Sequence, residues 1–348
     1  MYDWSQHIIG EDASLVDALE QLNKLSGQTM VLFVVDADGK MTGTLTDGDI
    51  RRFLIREKKI DVAARDIMHR NFRKFKAGKI EVDDVREMRK NNITLVPCID
   101  ADGRIAEVCD FAACHSILPL DAILMAGGRG ERLRPLTLTT PKPLLRIGGK
   151  CIIDYNVEEL AKNGISNIAV TTNYLAEQIE EHFATPVGGV SVRCVKEPRK
   201  LGTIGAARLV GGLTHDNVLI MNSDLFTTIN YEELYVRHIE EGADMTIAAT
   251  PYMVSVPFAV FRSEGTRILG LEEKPTFNYY ANAGIYIVRR ELLETMIPPD
   301  SVFDATDLIE ALVDNGKKVV HYTITGTWID IGSPDDFRHA QDLAAHQN

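Results

Sequence analysis

The chain has 348 residues, 45% hydrophobic and 25% charged, with 38 basic and 50 acidic side chains and a net charge of −12. This composition excludes disorder, collagen and a disulfide-stapled miniprotein, and the length suits two domains better than one. The acidity argues against a general binder of nucleic acid or of anionic membranes, and no run of 18 apolar residues offers a transmembrane helix. The start, Met1 to Ser5, lacks the basic and apolar stretches of a signal peptide. The five cysteines (Cys98, Cys109, Cys114, Cys151, Cys194) show no CxxC spacing. They read as free thiols of a cytoplasmic protein.

Residues 1–118 form a first region with 17 basic and 20 acidic side chains. A rough internal duplication runs through it. In the first copy Ser14 caps a predicted helix carrying Leu15, Leu19 and Leu22. An apolar strand follows at Met30–Asp36, then a turn, Asp36-Ala37-Asp38-Gly39, then a short strand at Thr42–Thr46. In the second copy Val82-Asp83-Asp84 opens a helix, Leu95–Asp100 is the strand, and Asp100-Ala101-Asp102-Gly103 repeats the turn. Ile117 to Leu120 reads as the junction.

Residues 119–348 alternate strands and helices. Predicted strands are Ala122–Met125, Ile168–Thr172, Ser191–Val195, Val218–Met221, Met245–Ala249, Ile268–Glu273 and Ala283–Val288, and a predicted helix at Ile152–Asn163 is closed by Gly164. Alternation of this kind predicts an α/β fold, a mostly parallel sheet with helices on both faces. Ligands of such sheets sit beyond the carboxyl ends of the strands.

The first of these strands runs into Leu124-Met125-Ala126-Gly127-Gly128-Arg129-Gly130-Glu131-Arg132-Leu133-Arg134-Pro135-Leu136-Thr137. Glycines here let backbone N–H groups approach phosphate oxygens, and Arg129 and Arg132 supply cationic forks for a polyphosphate. No GK[ST] closes the loop and its spacing is not G-x-G-x-x-G, so two common nucleotide loops are excluded. Pro141-Lys142-Pro143 pins a lysine nearby. Arg129 to Lys150 carries six basic residues against Glu131 alone, a local +5 that suits a bound anion. Asp224 follows the strand Val218–Met221, where an acid suits either a metal or a helix N-cap. No His/Cys spacing of a zinc site appears.

The glycine loop and the P-K-P resemble the sugar-1-phosphate nucleotidyltransferases, closest to the mannose-1-phosphate guanylyltransferase type. The resemblance covers roughly 120–345, with Glu131 standing where members often carry threonine. It implies a Rossmann-like nucleotidyltransferase domain of mixed, mostly parallel sheet. It implies nucleotide contacts from Leu124, Ala126, Gly127, Gly128, Arg129, Gly130, Gly202, Thr203 and Asn222, the last from Asn222-Ser223-Asp224. Mg²⁺ would sit on Asp224 and on Asp330 of Trp328-Ile329-Asp330-Ile331-Gly332, a hard cation with few protein oxygens. Arg132, Lys142 and Lys274 would hold phosphates. Glu197, Glu273, Asn282 and Gly284 would face the sugar, through Glu197 to Ala207 (expected to open a helix), Glu272-Glu273-Lys274-Pro275 and Asn282-Ala283-Gly284-Ile285-Tyr286. Pro257-Phe258-Ala259-Val260 departs from the Y-G-V of relatives.

Residues 1–118 resemble a tandem CBS domain pair, an α+β module. Thr46 and Asp49 match its [ST]-x-x-D, which binds the ribose of an adenosine nucleotide, and Arg51 and Arg52 stand ready for its phosphate. Asp66-Ile67-Met68 resembles the entry to the second copy, whose Glu107 replaces the expected hydroxyl. The two resemblances imply transfer of a nucleoside monophosphate from an NTP, with GTP favoured over UTP, dTTP or CTP, to mannose or an amino-hexose 1-phosphate. They also imply a homodimer or higher oligomer. The competing readings are an inert nucleotide sensor, opposed by the intact Arg132, Lys142, Asp224, Lys274 and Asp330, and a nucleic-acid binder, opposed by the charge.

Overall fold

A computed structural model describes residues 3–346; Met1 and Tyr2, with which the leader reading begins, and the last two residues lie outside the described residues. The chain divides into units 1–117 and 118–348.

The first unit repeats one design. Its first copy contains β1 (Ile8–Gly10), α1 (Leu15–Lys24), β2 (Val31–Val35), β3 (Met41–Thr46) and α2 (Asp47–Glu57). After the short α3 (Ala64–Ile67) come β4 (Phe75–Lys76), α4 (Val82–Lys90), β5 (Leu95–Ile99) and β6 (Ile105–Asp110). Each copy folds a three-stranded sheet with one parallel and one antiparallel pairing. The duplicated turns are chemically alike. Asp36 accepts from the N–H groups of Asp38 (2.9 Å) and Lys40 (2.8 Å), and Asp100 from those of Asp102 (2.9 Å) and Arg104 (2.8 Å). Ser14 caps α1 reciprocally with Asp17, and Leu15, Leu22, Leu32, Leu45 and Ile50 fill the first copy's core.

The second unit opens with β7 (Leu120–Ala126), the small hairpin β8 (Arg146–Ile147) and β9 (Lys150–Cys151), α5 (Ile152–Lys162), β10 (Ile168–Thr172), α6 (Ala176–His182) and β11 (Val192–Lys196). Next come β12 (Asn217–Asn222), β13 (Leu225–Thr227), α7 (Tyr231–Glu240), β14 (Met245–Ser255), β15 (Val260–Glu264), β16 (Arg267–Glu272) and β17 (Thr276–Arg289). The last elements are α8 (Arg290–Met296), α9 (Ala305–Asp314), β18 (Val319–Thr323), β19 (Trp328–Asp330) and α10 (Pro334–Ala345). Seven strands make one sheet in the order β11-β10-β7-β12-β17-β14-β18, with β17 antiparallel to both neighbours and every other pairing parallel. Ile123, Val218, Ile220 and Val288 pack against Leu292 and Leu293 of α8 and Leu308 and Leu312 of α9. On the other face the buried Tyr231 of α7 reaches the Met221 sulfur at 3.6 Å. Helices therefore cover both faces, as the alternation predicts.

Two expectations fail. Ile268–Glu273 is no sheet strand; its residues form β16 and pair with β15 in a separate ribbon. The β-branched and leucine pattern is shared by buried and exposed strands, so hydrophobicity alone misplaced it. Glu197 to Ala207 opens no α-helix, only a 3-10 turn at Gly205–Leu209. Pro198 removes a donor, and the glycines at 202 and 205 cost helix propensity.

Asp121 anchors the start of β7. Its fully buried carboxylate accepts from Asn167 Nδ2 (2.8 Å), from the N–H groups of Thr214 (2.6 Å) and His215 (2.9 Å), and pairs with His215 Nδ1 (3.0 Å). Burial pushes this carboxyl up, but the hydrogen bonds from His215, Asn167 and Thr214 outweigh it and hold it below the ordinary value. A depressed carboxyl stabilises the fold above its ordinary pKa and stops doing so as pH falls through the folded one. Asp121→Ala is expected to cost about 1–3 kcal/mol in urea unfolding at neutral pH, with donors left unpaired. The gap to wild type is expected to narrow in acid.

Candidate active site

A cleft of about 650 Å³ opens at the carboxyl ends of β7, β10 and β12. Its wall begins with the glycine loop leaving β7. Gly130 sits in the left-handed region (φ 58°), where a Cβ would lie 2.9 Å from the Thr137 methyl and 3.1 Å from the Lys142 Cβ. Thr137 Oγ1 donates to the Gly130 carbonyl at 2.7 Å and closes the loop. The 3-10 turn Glu131–Leu133 then sets Arg132 against Gly332, where a Cβ would stand 2.9 Å from Nη2. The bare backbone at 332 lets that guanidinium lie close against it.

Lys142 forms the floor. Its 3-10 turn, Lys142–Leu144, follows Pro141, and the residue is 8% exposed. Its ammonium pairs with Asp224 and lies 3.7 Å from Asp330 Oδ1. The two acids, far apart in sequence, are joined by the antiparallel pairing of β13 with β19, in which Leu225 faces Asp330 and Asp224 is the next residue. The Ile331 N–H donates to the Asp224 carbonyl at 3.2 Å. Asp224 thus precedes a strand and caps no helix. Burial first, and the Asp224 charge second, push the Asp330 carboxyl above its ordinary value, against the pull of Lys142 and Arg132. Two hard oxygen donors converging on one cationic centre, with negative charge left over, fit a divalent cation of the oxygen-liganded kind.

The opposite wall comes from 197–205. Glu197 is buried, accepts from the Leu201 N–H at 3.2 Å, and has its carboxyl pushed up by burial. Gly202 and Thr203 line the cleft, and the Thr203 N–H donates to Asp304 at 2.8 Å. Asn222 lines it too, backed by Gly284.

Of the residues expected from the sequence, Ala126, Gly127, Gly128, Gly130, Arg132, Lys142, Glu197, Gly202, Thr203, Asn222, Asp224 and Asp330 share this cleft. Leu124 is buried inside β7, Arg129 is exposed, and Asn282 is exposed at the root of a ribbon, its Oδ1 accepting from the Gly284 N–H at 2.9 Å. Glu273 and Lys274 are fully outside, exposed on the ribbon itself. Sequence reasoning missed Lys200 and Asp304, which also line the cleft. Lys200 lay inside a segment already noted; Asp304 sits in a capping box of α9 that looks purely structural.

Two further placements differ from expectation. Sequence spacing gave no zinc-type cluster, yet ligand atoms of Cys151, Asp154 and His182 lie within 4.8 Å of one another where the start of α5 meets the end of α6. None of the three lines the cleft. In the first unit, Thr46 and Asp49 bond each other as a capping box for α2, with Thr46 Oγ1 2.6 Å from Asp49 Oδ2. Arg52 pairs with Asp49 at 2.5 Å and Arg51 with Asp47. The [ST]-x-x-D pattern is also a helix-capping pattern, and here the side chains serve the helix.

A carboxyl raised in the fold destabilises it above the ordinary pKa, and the effect is relieved as pH falls. Asp330→Asn removes that charge. The expected outcome is a small rise in Tm together with loss of any metal-dependent activity; a clear fall in Tm would contradict the charge balance described for the site.

Comparison with known proteins agrees with this geometry. The Nucleotidyl transferase family model matches residues 121–347, and the CBS domain model matches 7–56. A D-glycero-alpha-D-manno-heptose 1-phosphate guanylyltransferase of Aneurinibacillus thermoaerophilus is 30% identical over 65% of this chain and 99% of its own. A mannose-1-phosphate guanyltransferase of Schizosaccharomyces pombe is 31% identical over 63% of this chain and 62% of its own. The chain spans 61% to 62% of the length of such mannose-1-phosphate relatives. The structure of HddC from Yersinia pseudotuberculosis superposes with a TM-score of 0.52 at 22% identity, over 64% of this chain and 99% of that one, and shares the fold. No helix is long and apolar enough to cross a membrane among the described residues. With that match running through the glycine loop, Lys142, Asp224 and Asp330, the chain belongs to the nucleotidyl transferase family and carries a CBS domain ahead of it.

Proposed function

We propose that the protein transfers GMP from GTP to a sugar 1-phosphate, mannose or an amino-hexose first in line and a heptose next, releasing pyrophosphate. The observation that carries this reading is the buried Lys142 between Asp224 and Asp330 on the floor of a glycine-walled cleft. The guanylyltransferase names of the relatives support the choice of base.

An oxygen of the sugar phosphate attacks the α-phosphorus in line. The bond to the bridging oxygen breaks, and that oxygen leaves with pyrophosphate. A phosphate monoester is already a competent nucleophile, so no covalent enzyme intermediate is needed, and rate comes from positioning and charge. Gly127, Gly128 and Gly130 admit the phosphates close to the backbone. Arg132 holds the β- and γ-phosphates, and Lys142 the α-phosphate. Asp224 and Asp330 would hold Mg²⁺, which draws charge from the leaving group. Asn222 and Thr203 face the nucleoside, and Glu197 the sugar. In the first unit, an adenosine nucleotide at Thr46, Asp49, Arg51 and Arg52 is the corresponding reading, testable by titrating AMP and ATP calorimetrically.

The test is pyrophosphate release with Mg²⁺ over the four NTPs against mannose, glucosamine, N-acetylglucosamine, glucose and heptose 1-phosphates. GTP with one sugar is expected to react, and chelation to stop it. Arg132→Ala and Asp224→Asn are each expected to lose at least about 10²-fold in turnover while unfolding at the wild-type temperature. Full activity in either variant, or no nucleotide bound by folded wild type, overturns the reading.

A further inference from the structure

The trio Cys151, Asp154 and His182 stands outside the cleft and takes no part in the transfer chemistry. Two of its members come from one turn of chain. Cys151 ends the β8–β9 hairpin, paired with Arg146, and is the residue before α5. Asp154 lies in the first turn of that helix. A step of three residues puts both side chains on one side of the helix start. This platform is braced. The Ile152 N–H donates to the Leu145 carbonyl at 3.0 Å, and the Tyr155 hydroxyl to the Ile147 carbonyl at 2.9 Å. His182 arrives separately, as the last residue of α6, with its ring edge-on to Phe183 at 4.9 Å between centroids. Its Nε2 lies 2.6 Å from Asp154 Oδ1.

An ion pair accounts for two of these residues. A carboxylate at a helix start and an imidazole at a helix end both suit the helix dipoles. It does not account for the thiol. Cys151 is buried, and burial first, with the Asp154 charge second, pushes its thiol up. That is the wrong setting for a nucleophile, so the trio is not an activated-thiol site. What a thiol, an imidazole and a carboxylate share is affinity for a borderline-soft divalent metal. The charges also fit, because a thiolate and a carboxylate together neutralise a divalent cation and a neutral imidazole adds nothing. Mg²⁺, which prefers oxygen, would not choose this donor set, so it differs in kind from the pair Asp224 and Asp330.

The geometry is close to what zinc needs. Tetrahedral bonds of about 2.0–2.3 Å set ligand atoms roughly 3.5 Å apart. The three donor atoms already lie within 4.8 Å of one another. Closing on the ion takes side-chain shifts of about 1 Å. The side chains of His182 and Asp154 are 24% and 15% exposed, which gives an ion a way in and a water a place on the metal.

We propose that Cys151, Asp154 and His182 bind one Zn²⁺, with water in the fourth place, and that the ion fastens the start of α5 to the end of α6. On binding, the thiol proton passes to solvent and a zinc–sulfur bond forms. The ion is a brace and not a reactant. α5 lies behind the floor of the cleft: its Asn156 Nδ2 donates to the Leu225 carbonyl at 2.9 Å, next to Asp224, and Leu145 directly follows the turn that carries Lys142. The proposal stands or falls independently of the transferase reading.

Co²⁺ serves as the probe, because a thiolate ligand gives it a charge-transfer absorption that carboxylates alone do not. Full-length protein, chelator-treated and kept reduced in Mg²⁺, is titrated with Co²⁺ and then with Zn²⁺. One equivalent of Co²⁺ is expected to develop the band. One equivalent of Zn²⁺ is expected to bleach it and to raise Tm by several degrees. Cys151→Ser and His182→Gln are each expected to lose both the band and the rise in Tm, with far-UV dichroism unchanged. Cys98→Ser, Cys194→Ser and Asp224→Asn are expected to keep both. His182→Gln, on a partly exposed side chain, decides the matter where Cys151→Ser fails to fold. No band, no rise in Tm with Zn²⁺, a band that survives either substitution in the trio, or a band lost instead with Cys98→Ser or Cys194→Ser overturns the proposal.

Discussion

The ammonium of Lys142 is the point on which the second unit's functional end converges. It draws together the loop after β7, the residue before β13 and the end of β19, segments far apart in the unit's sequence. A buried cation tolerates this position only if its charge is answered, and two acids stand close enough to answer it. The sheet alone does not impose that meeting. The short β13–β19 ladder does, by setting Asp330 opposite Leu225, while Trp328 Nε1 ties β19 to the Ala283 carbonyl at 2.9 Å.

The same arrangement is poised against stability. Asp330 is pushed towards neutrality by burial and by Asp224, so the fold holds two acids closer than their own charges favour. Perturbed carboxyls of this kind cluster at functional sites. Asp121, at the opposite end of β7, shows the contrast. Its carboxylate is more deeply buried, yet its oxygens are answered by the loops it anchors, and its charge is favoured. The unit thus holds one acid whose charge the surrounding donors favour and another, Asp330, whose charge burial and a neighbouring acid oppose.

Much of this was legible in the sequence. Glycines at 127, 128 and 130, the proline-flanked lysine, and acids just after strand ends are local signals, because backbone approach, fixed φ and strand-end placement are local physics. The duplicated D-x-D-G turns were legible for the same reason, since Asp36 and Asp100 bond only their own next few residues. What failed was non-local. Nothing in Ile268–Glu273 distinguishes a strand buried in a sheet from one standing in water; the difference lies in what packs on it. Asp304 entered the cleft, and Cys151 met His182, through packing between segments that share no sequence signal.

Thr46 and Asp49 show the limit from the other side. The residues are those a ribose would want, yet they form hydrogen bonds that hold the first turn of α2, and Arg52 completes the set at Asp49. A capping interaction of this kind is worth about 0.5–2 kcal/mol. A nucleotide that took these same atoms from the cap would give up as much as that in affinity in exchange. Were a ligand to draw on Thr46 and Asp49, its binding and the helix cap would be coupled, and occupancy would be read out in the stability of α2.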